Sequence, residues 1–100
     1  MPTKEKLVRD RIPEIIAKSG RTPETRIIQG KEHFDYLDRK LDEEVGEFHS
    51  DKNLEELADI FEVIVALAGQ LGYSEEQLFE TRKKKRLERG GFEKGIVLIQ

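Results

Sequence analysis

The stretch Leu41-Asp42-Glu43-Glu44-Val45-Gly46-Glu47-Phe48-His49-Ser50-Asp51-Lys52-Asn53-Leu54-Glu55-Glu56-Leu57-Ala58-Asp59 decides the fold. Going back from it, Phe48, Val45, Leu41, Leu37 and Phe34 recur at helical spacing, which predicts a helix over 31–49. His49-Ser50-Asp51-Lys52-Asn53 reads as a polar turn. Asn53 is a natural N-cap for a second helix over 54–71, which stops at Gly72. Two long helices joined by so short a connection must lie antiparallel and touch.

Working outward, Asp10 can cap a short helix over 11–19, with Pro13 tolerated in its first turn and Gly20 as its stop. Ser74 and Gln77 form a capping-box pair that opens a fourth helix, and Gly90-Gly91 ends it. Thr25-Arg26-Ile27-Ile28-Gln29 and Ile96-Val97-Leu98-Ile99 read as short strands that could pair with each other. The expected fold is mainly α: an antiparallel bundle of about four helices with two short strands, one domain over 1–100. The helix over 54–71 carries two apolar stripes. One comprises Leu54, Leu57, Ala58, Phe61, Val65 and Ala68; the other Ile60, Val63, Ile64, Leu67 and Leu71. A helix apolar nearly all round is buried on more than one side. Either the rest of the chain wraps it or a second copy covers one face, and the small size of the chain favours a homo-oligomer, a dimer or dimer of dimers.

Composition narrows the function classes. Charged residues make up 39% of the chain, yet Leu, Ile, Val and Phe total 29 of 100 residues, above the level at which chains fail to fold. No apolar run approaches a membrane span, and the N-terminus lacks a secretory apolar region, so a cytoplasmic protein without a membrane partner is expected. The absence of cysteine excludes disulfides, thiolate metal sites and cysteine nucleophiles. Neither usual glycine-rich phosphate loop is present. The net charge of −3 hides a segregation: residues 35–62 hold eleven acids against three bases, and residues 82–100 hold seven bases against two acids.

Within the acidic middle, Glu44 and Glu47 are three apart on one helix, and Glu56 and Asp59 are three apart on the next. Each pair therefore shares a face. Folding the helices antiparallel about the turn sets Glu47 level with Glu56 and Glu44 level with Asp59. On a helical wheel Glu44 lies beside the apolar stripe and Glu43 points away from it. Gly46 leaves room for close approach of another group. Two carboxylates about 4 Å apart repel by roughly 4 kcal/mol at an effective dielectric of 20, so four together call for cations. All-oxygen donors suit Mg²⁺, with Mn²⁺ as a substitute, and Mg²⁺ ordinarily meets substrate phosphates. Glu56 has a competing explanation, since it stands where a capping-box glutamate belongs. Glu62 is either a further ligand or a paired edge residue.

The bases admit three readings. Arg82-Lys83-Lys84-Lys85-Arg86 and Arg89 complement the dipole of the fourth helix, or form a nucleic-acid patch, or clamp substrate phosphates opposite a carboxylate-bound metal. Interleaved aromatics are missing and the chain is acidic overall, so no nucleic-acid partner is expected. Lys6, Arg9 and Arg11 could add to a phosphate clamp from the N-terminal side.

Glu43-Glu44-x-x-Glu47 followed by Glu56-x-x-Asp59 resembles the E-E-x-x-E…E-x-x-D signature of the all-α nucleotide pyrophosphohydrolases, which include MazG-type enzymes, dimeric dUTPases and phosphoribosyl-ATP pyrophosphatase. Lys6-Leu7-Val8-Arg9-Asp10-Arg11-Ile12-Pro13 and Arg89-Gly90-Gly91-Phe92-Glu93 are similar to a small single-domain branch of that group. The resemblance implies a Mg²⁺-dependent helical oligomer that splits the α–β phosphoanhydride of a nucleotide substrate, releasing a nucleoside monophosphate and pyrophosphate. It implies Glu44, Glu47, Glu56 and Asp59 as metal ligands, and Lys83, Lys84 or Arg86 as phosphate contacts; Lys6 and Arg9 are further phosphate candidates from the charge pattern alone. Glu43 or Glu47 would be the general base. Relatives often carry lysine followed by asparagine in the fourth helix, and no asparagine follows Asn53 here. Phosphoribosyl-ATP hydrolysis and a non-catalytic regulatory module that keeps the metal site are the rival readings.

Overall fold

A computed structural model describes residues 5–100. Its regular elements are four helices: α1 (Ile12–Lys18), α2 (Gly30–Asp51), α3 (Leu54–Gln70) and α4 (Glu75–Arg89). The expectation of a mainly helical chain built on an antiparallel pair holds. Packing runs along the chain, α2 against α3 and α3 against α4, with a bend of 108° between α3 and α4.

Local sequence accounts for the ends of the helices. Ser74 and Gln77 form the full capping box at the start of α4. Asn53 caps α3 by accepting from the Glu56 backbone N–H at 2.9 Å. Asp10 does not cap α1. Arg11 stands at that position without a side-chain bond, because a turn donating Ile12 N–H to the Arg9 carbonyl at 3.0 Å already leads into the helix. Gly20, at φ +94°, closes α1 by donating to the Ala17 carbonyl.

The two expected strands do not form among the described residues. Residues 25–29 and 96–99 have no ladder partner, and an isolated edge gains no hydrogen bonds that water does not already supply. The first segment is held by side chains instead. The Arg26 guanidinium reaches Glu5 at 2.9 Å and Glu32 at 3.0 Å, and the Tyr36 hydroxyl donates to Glu5 at 2.9 Å. The second leaves Ile96, Val97, Leu98 and Ile99 between 76% and 91% exposed.

The second apolar stripe of α3 meets α2. Leu37 of α2 and Val63 of α3 are buried, and Ile60, Ile64 and Leu67 are partly covered. Across the helix, Phe61 stacks on Phe79 of α4 with ring centres 5.6 Å apart, but Leu54, Leu57 and Phe61 stay largely exposed. Only Leu37, Val63 and Ala68 are buried among the described residues, and none of them completely. The radius of gyration is 17.3 Å, where a compact domain of this length has about 13 Å. The accessible surface is 9093 Å², where a folded monomer of this mass exposes roughly 5,800 Å².

So thin a core makes each buried side chain matter. Leu37→Ala is expected to lower unfolding stability by about 2–4 kcal/mol in urea titrations followed by circular dichroism.

Candidate metal centre

The site grows out of the way α2 ends. The helix does not stop at 49 but runs to Asp51, and the chain reverses at Lys52, which takes a left-handed φ of +49°. This costs a non-glycine residue some strain. It is offset by a 2.7 Å bond from Lys52 N–H to the Phe48 carbonyl and a 3.0 Å bond from its ammonium to the His49 carbonyl. A cation is also the favoured charge at a helix C-terminus. The two extra helical residues put Asp51, four residues after Glu47, on the same face.

Across the reversal the acids meet as the mirror spacing predicts. Glu44, Glu56 and Asp59, all partly buried, each offer one carboxylate oxygen within 4.8 Å of the others. Glu47, Asp51 and Glu56 do the same nearer the turn. The expected rectangle is thus two triads sharing Glu56. Asp51 was missed because residues 49–53 read as a turn; the visible signal was its i,i+4 relation to Glu47. Glu62 is exposed and belongs to neither triad. Nothing lies within 4 Å of where a Cβ on Gly46 would stand, so the structure gives no reason for that glycine.

Glu56 is the hinge of the arrangement. Its backbone N–H is capped by Asn53, but its carboxylate makes no return bond to the Asn53 N–H among the described residues, so the capping box is half formed. The carboxylate instead faces other acids. Desolvation, followed by the charges of Asp51, Asp59, Glu47 and Glu44, holds it above the ordinary glutamate value.

Cations reach the cluster from the N-terminal segment. Arg9 pairs with Asp59 at 2.6 Å, and Lys6 pairs with Glu43 at 2.9 Å. Lys40 lies 3.3 Å from Glu43 and 3.4 Å from Glu44. Glu43 is therefore half-buried under the incoming segment instead of pointing into solvent. The hydrogen bond from Lys6 holds its carboxyl below the usual range, and the same contact raises the Lys6 ammonium. The bases of α4 behave differently. Lys83, Lys84 and Arg86 form no ion pair with the cluster among the described residues, and the acid partner of Arg86 is Glu93 at 2.6 Å. His33 faces Gln70 at 3.1 Å, and His49 lies outside both triads.

The raised Glu56 value has a definite sign. The folded chain keeps this proton to higher pH than the unfolded chain does, so the destabilisation is absent below about 4.5, sets in as pH rises, and is complete above the raised value. Glu56→Gln is expected to raise the melting temperature of the metal-free protein at pH 7, with the gain vanishing toward pH 4. Added Mg²⁺ should stabilise the wild type more than the variant, which thermal melts with and without chelator measure.

No protein-family model and no solved structure matches the chain. A protein of Mycolicibacterium smegmatis, described as uncharacterized, is 57% identical over 44 residues. The match covers 44% of this chain and 45% of that protein, so it spans less than half of either.

Proposed function

We propose that this chain is a Mg²⁺-dependent nucleotide pyrophosphohydrolase of the all-α superfamily it resembles, converting a nucleoside triphosphate and water to the monophosphate and pyrophosphate. The observation that carries the reading is the half-buried Glu44, Glu56 and Asp59 triad at the reversal of α2 into α3. The donor set fits the ion: every available group is a carboxylate oxygen, the hard ligand Mg²⁺ and Mn²⁺ favour, and the facing acids repel until a cation joins them.

Glu44, Glu56 and Asp59 would hold the ion, with Glu47 and Asp51 at its edge. When bound, the ion supplies charge neutralisation at the phosphates and a lowered pKa for an attacking water. Arg9 and Lys6 already lie on carboxylates of the site, and turning either toward phosphate oxygens orients the substrate and neutralises leaving pyrophosphate. Lys83, Lys84 and Arg86 remain the α4 contacts that the resemblance implies. Of the two candidate bases, Glu43 is engaged by both Lys6 and Lys40, which weakens it as a proton acceptor. Glu47 is exposed and has no ion pair among the described residues, which makes it the better acceptor of the water proton.

A second copy of the chain belongs to this reading. The surface of one chain exceeds that of a compact monomer by about 3,000 Å², and an obligate homodimer interface, which buries roughly 1,000–2,500 Å² per partner, would cover much of it. Leu54, Leu57 and Phe61 give that surface an apolar centre on α3. In light scattering after gel filtration the chain should run at two or four times 11.6 kDa, and Phe61→Asp should shift it toward the monomer. A monomeric wild type would remove the second copy from the proposal.

The activity is tested by incubating the protein and Mg²⁺ with a nucleotide panel that includes phosphoribosyl-ATP, then identifying products. Glu44→Gln and Asp59→Asn should each lower kcat at least about a hundredfold with helix content unchanged, while Glu62→Gln stays near wild type. A diphosphate plus inorganic phosphate would refute the bond assignment. Turnover of phosphoribosyl-ATP alone would move the chemistry to histidine synthesis, and Mg²⁺ binding without turnover would make the chain a binding module.

A further inference from the structure

The segment that leads into α1 is fastened to the bundle by charge more than by packing. Among the described residues α1 packs against no other helix, and it buries no side chain. Of residues 5–11 only Leu7 is partly covered, and the rest are exposed. The fastenings are ionic. Glu5 accepts two bonds from the Arg26 guanidinium, at 2.9 and 3.2 Å, and one from the Tyr36 hydroxyl at 2.9 Å. Lys6 rests on Glu43 at 2.9 Å. Arg9, whose carbonyl accepts from the first N–H of α1, sets its Nη2 2.6 Å from Asp59 Oδ1.

A divalent cation would affect these contacts differently. Glu5 and Glu43 belong to neither carboxylate triad, whereas Asp59 completes the triad of Glu44 and Glu56. Arg9 therefore lays a positive charge on a carboxylate that the ion would use. Charge-assisted bonds of this kind are strong for their length. Two cations brought to one carboxylate repel, so either one weakens the hold of the other, and the effect is reciprocal.

We propose that residues 5–11 are a strap whose Arg9 guanidinium is the built-in counter-cation of the metal-free site, and that a divalent cation arriving at Asp59 releases it. The inference rests on the metal reading given above. Glu5 and Lys6 keep the strap tethered while its second half comes free, because their partners are not ligands. Arg9 becomes available to a substrate only after the cation has taken its place on Asp59, which orders metal before nucleotide.

The test uses the whole chain without nucleotide. In calorimetric titration with Mg²⁺, Arg9→Gln should bind about threefold tighter than wild type, the scale of one exposed ion pair. Arg11→Gln removes the same charge two residues away, where the partner is Glu14 at 3.4 Å, and should leave the affinity near wild type. The chain has no cysteine, so Val8→Cys carries a nitroxide label on the strap alone. Its electron spin resonance spectrum should sharpen as Mg²⁺ is added, and Asp59→Asn should give the sharp spectrum without metal. If wild type binds Mg²⁺ but Arg9→Gln binds no tighter, or the label is unmoved at saturation, the strap is overturned and the metal centre stands. Equal tightening by Arg11→Gln also overturns it, since general charge then explains both. If no form binds Mg²⁺, the metal reading and the strap fall together.

Discussion

The reversal at Lys52 and Asn53 is the constraint on which the rest depends. A left-handed residue and an asparagine cap join α2 to α3 with almost no loop, so the two helices have no freedom to separate at that end. The whole α2–α3 pairing is set in register by it. Leu37 and Val63 can be buried, and Glu44 can face Asp59, because the connection leaves one antiparallel alignment. A longer loop would have kept the helices while loosening both the core and the acid pairing.

The features legible in the sequence are those written in local chemistry. Caps, glycine stops and apolar spacing located all four helices, and mirror counting about the turn brought together Glu44, Glu56 and Asp59. Residues 25–29 and 96–99 were misread because β-branched composition says what a strand is made of and nothing about where its partner lies. Among the described residues no partner is adjacent, and Arg26 anchors its segment through Glu5 and Glu32 instead. Asp51 was lost for a related reason. Ser50 and Asp51 are weak helix formers, yet two further residues added to a 20-residue helix cost little once Lys52 closes its end.

Charge segregation, which in composition is only a count, becomes geometry in three dimensions. The basic N-terminal segment lies on the acidic middle, with Arg9 on Asp59 and Lys6 on Glu43. The basic α4 forms no ion pair with them among the described residues; its one ion pair there is Arg86 with Glu93 of its own C-terminal return. The two basic ends therefore have different physical roles. One neutralises a cluster that would otherwise repel itself, and the other gathers positive charge that a single glutamate only partly offsets.

The α2–α3 interface explains why a chain with so small a core keeps its acids partly buried. Val63 lies one turn beyond Asp59, so the face of α3 that packs against α2 is apolar through its middle and acidic at its first turns. Burial of the apolar part draws the carboxylates together whether or not their meeting is favourable, and Glu56 registers the cost as a raised proton affinity. An interface optimised for stability alone would not end this way, since facing carboxylates repel and the raised proton affinity of Glu56 is destabilising at neutral pH. The acids are held in place by packing on one side and are only partly neutralised by Arg9 and Lys40 on the other. That leaves a net negative, oxygen-lined corner at the reversal of α2 into α3, the charge that the proposed Mg²⁺ would offset.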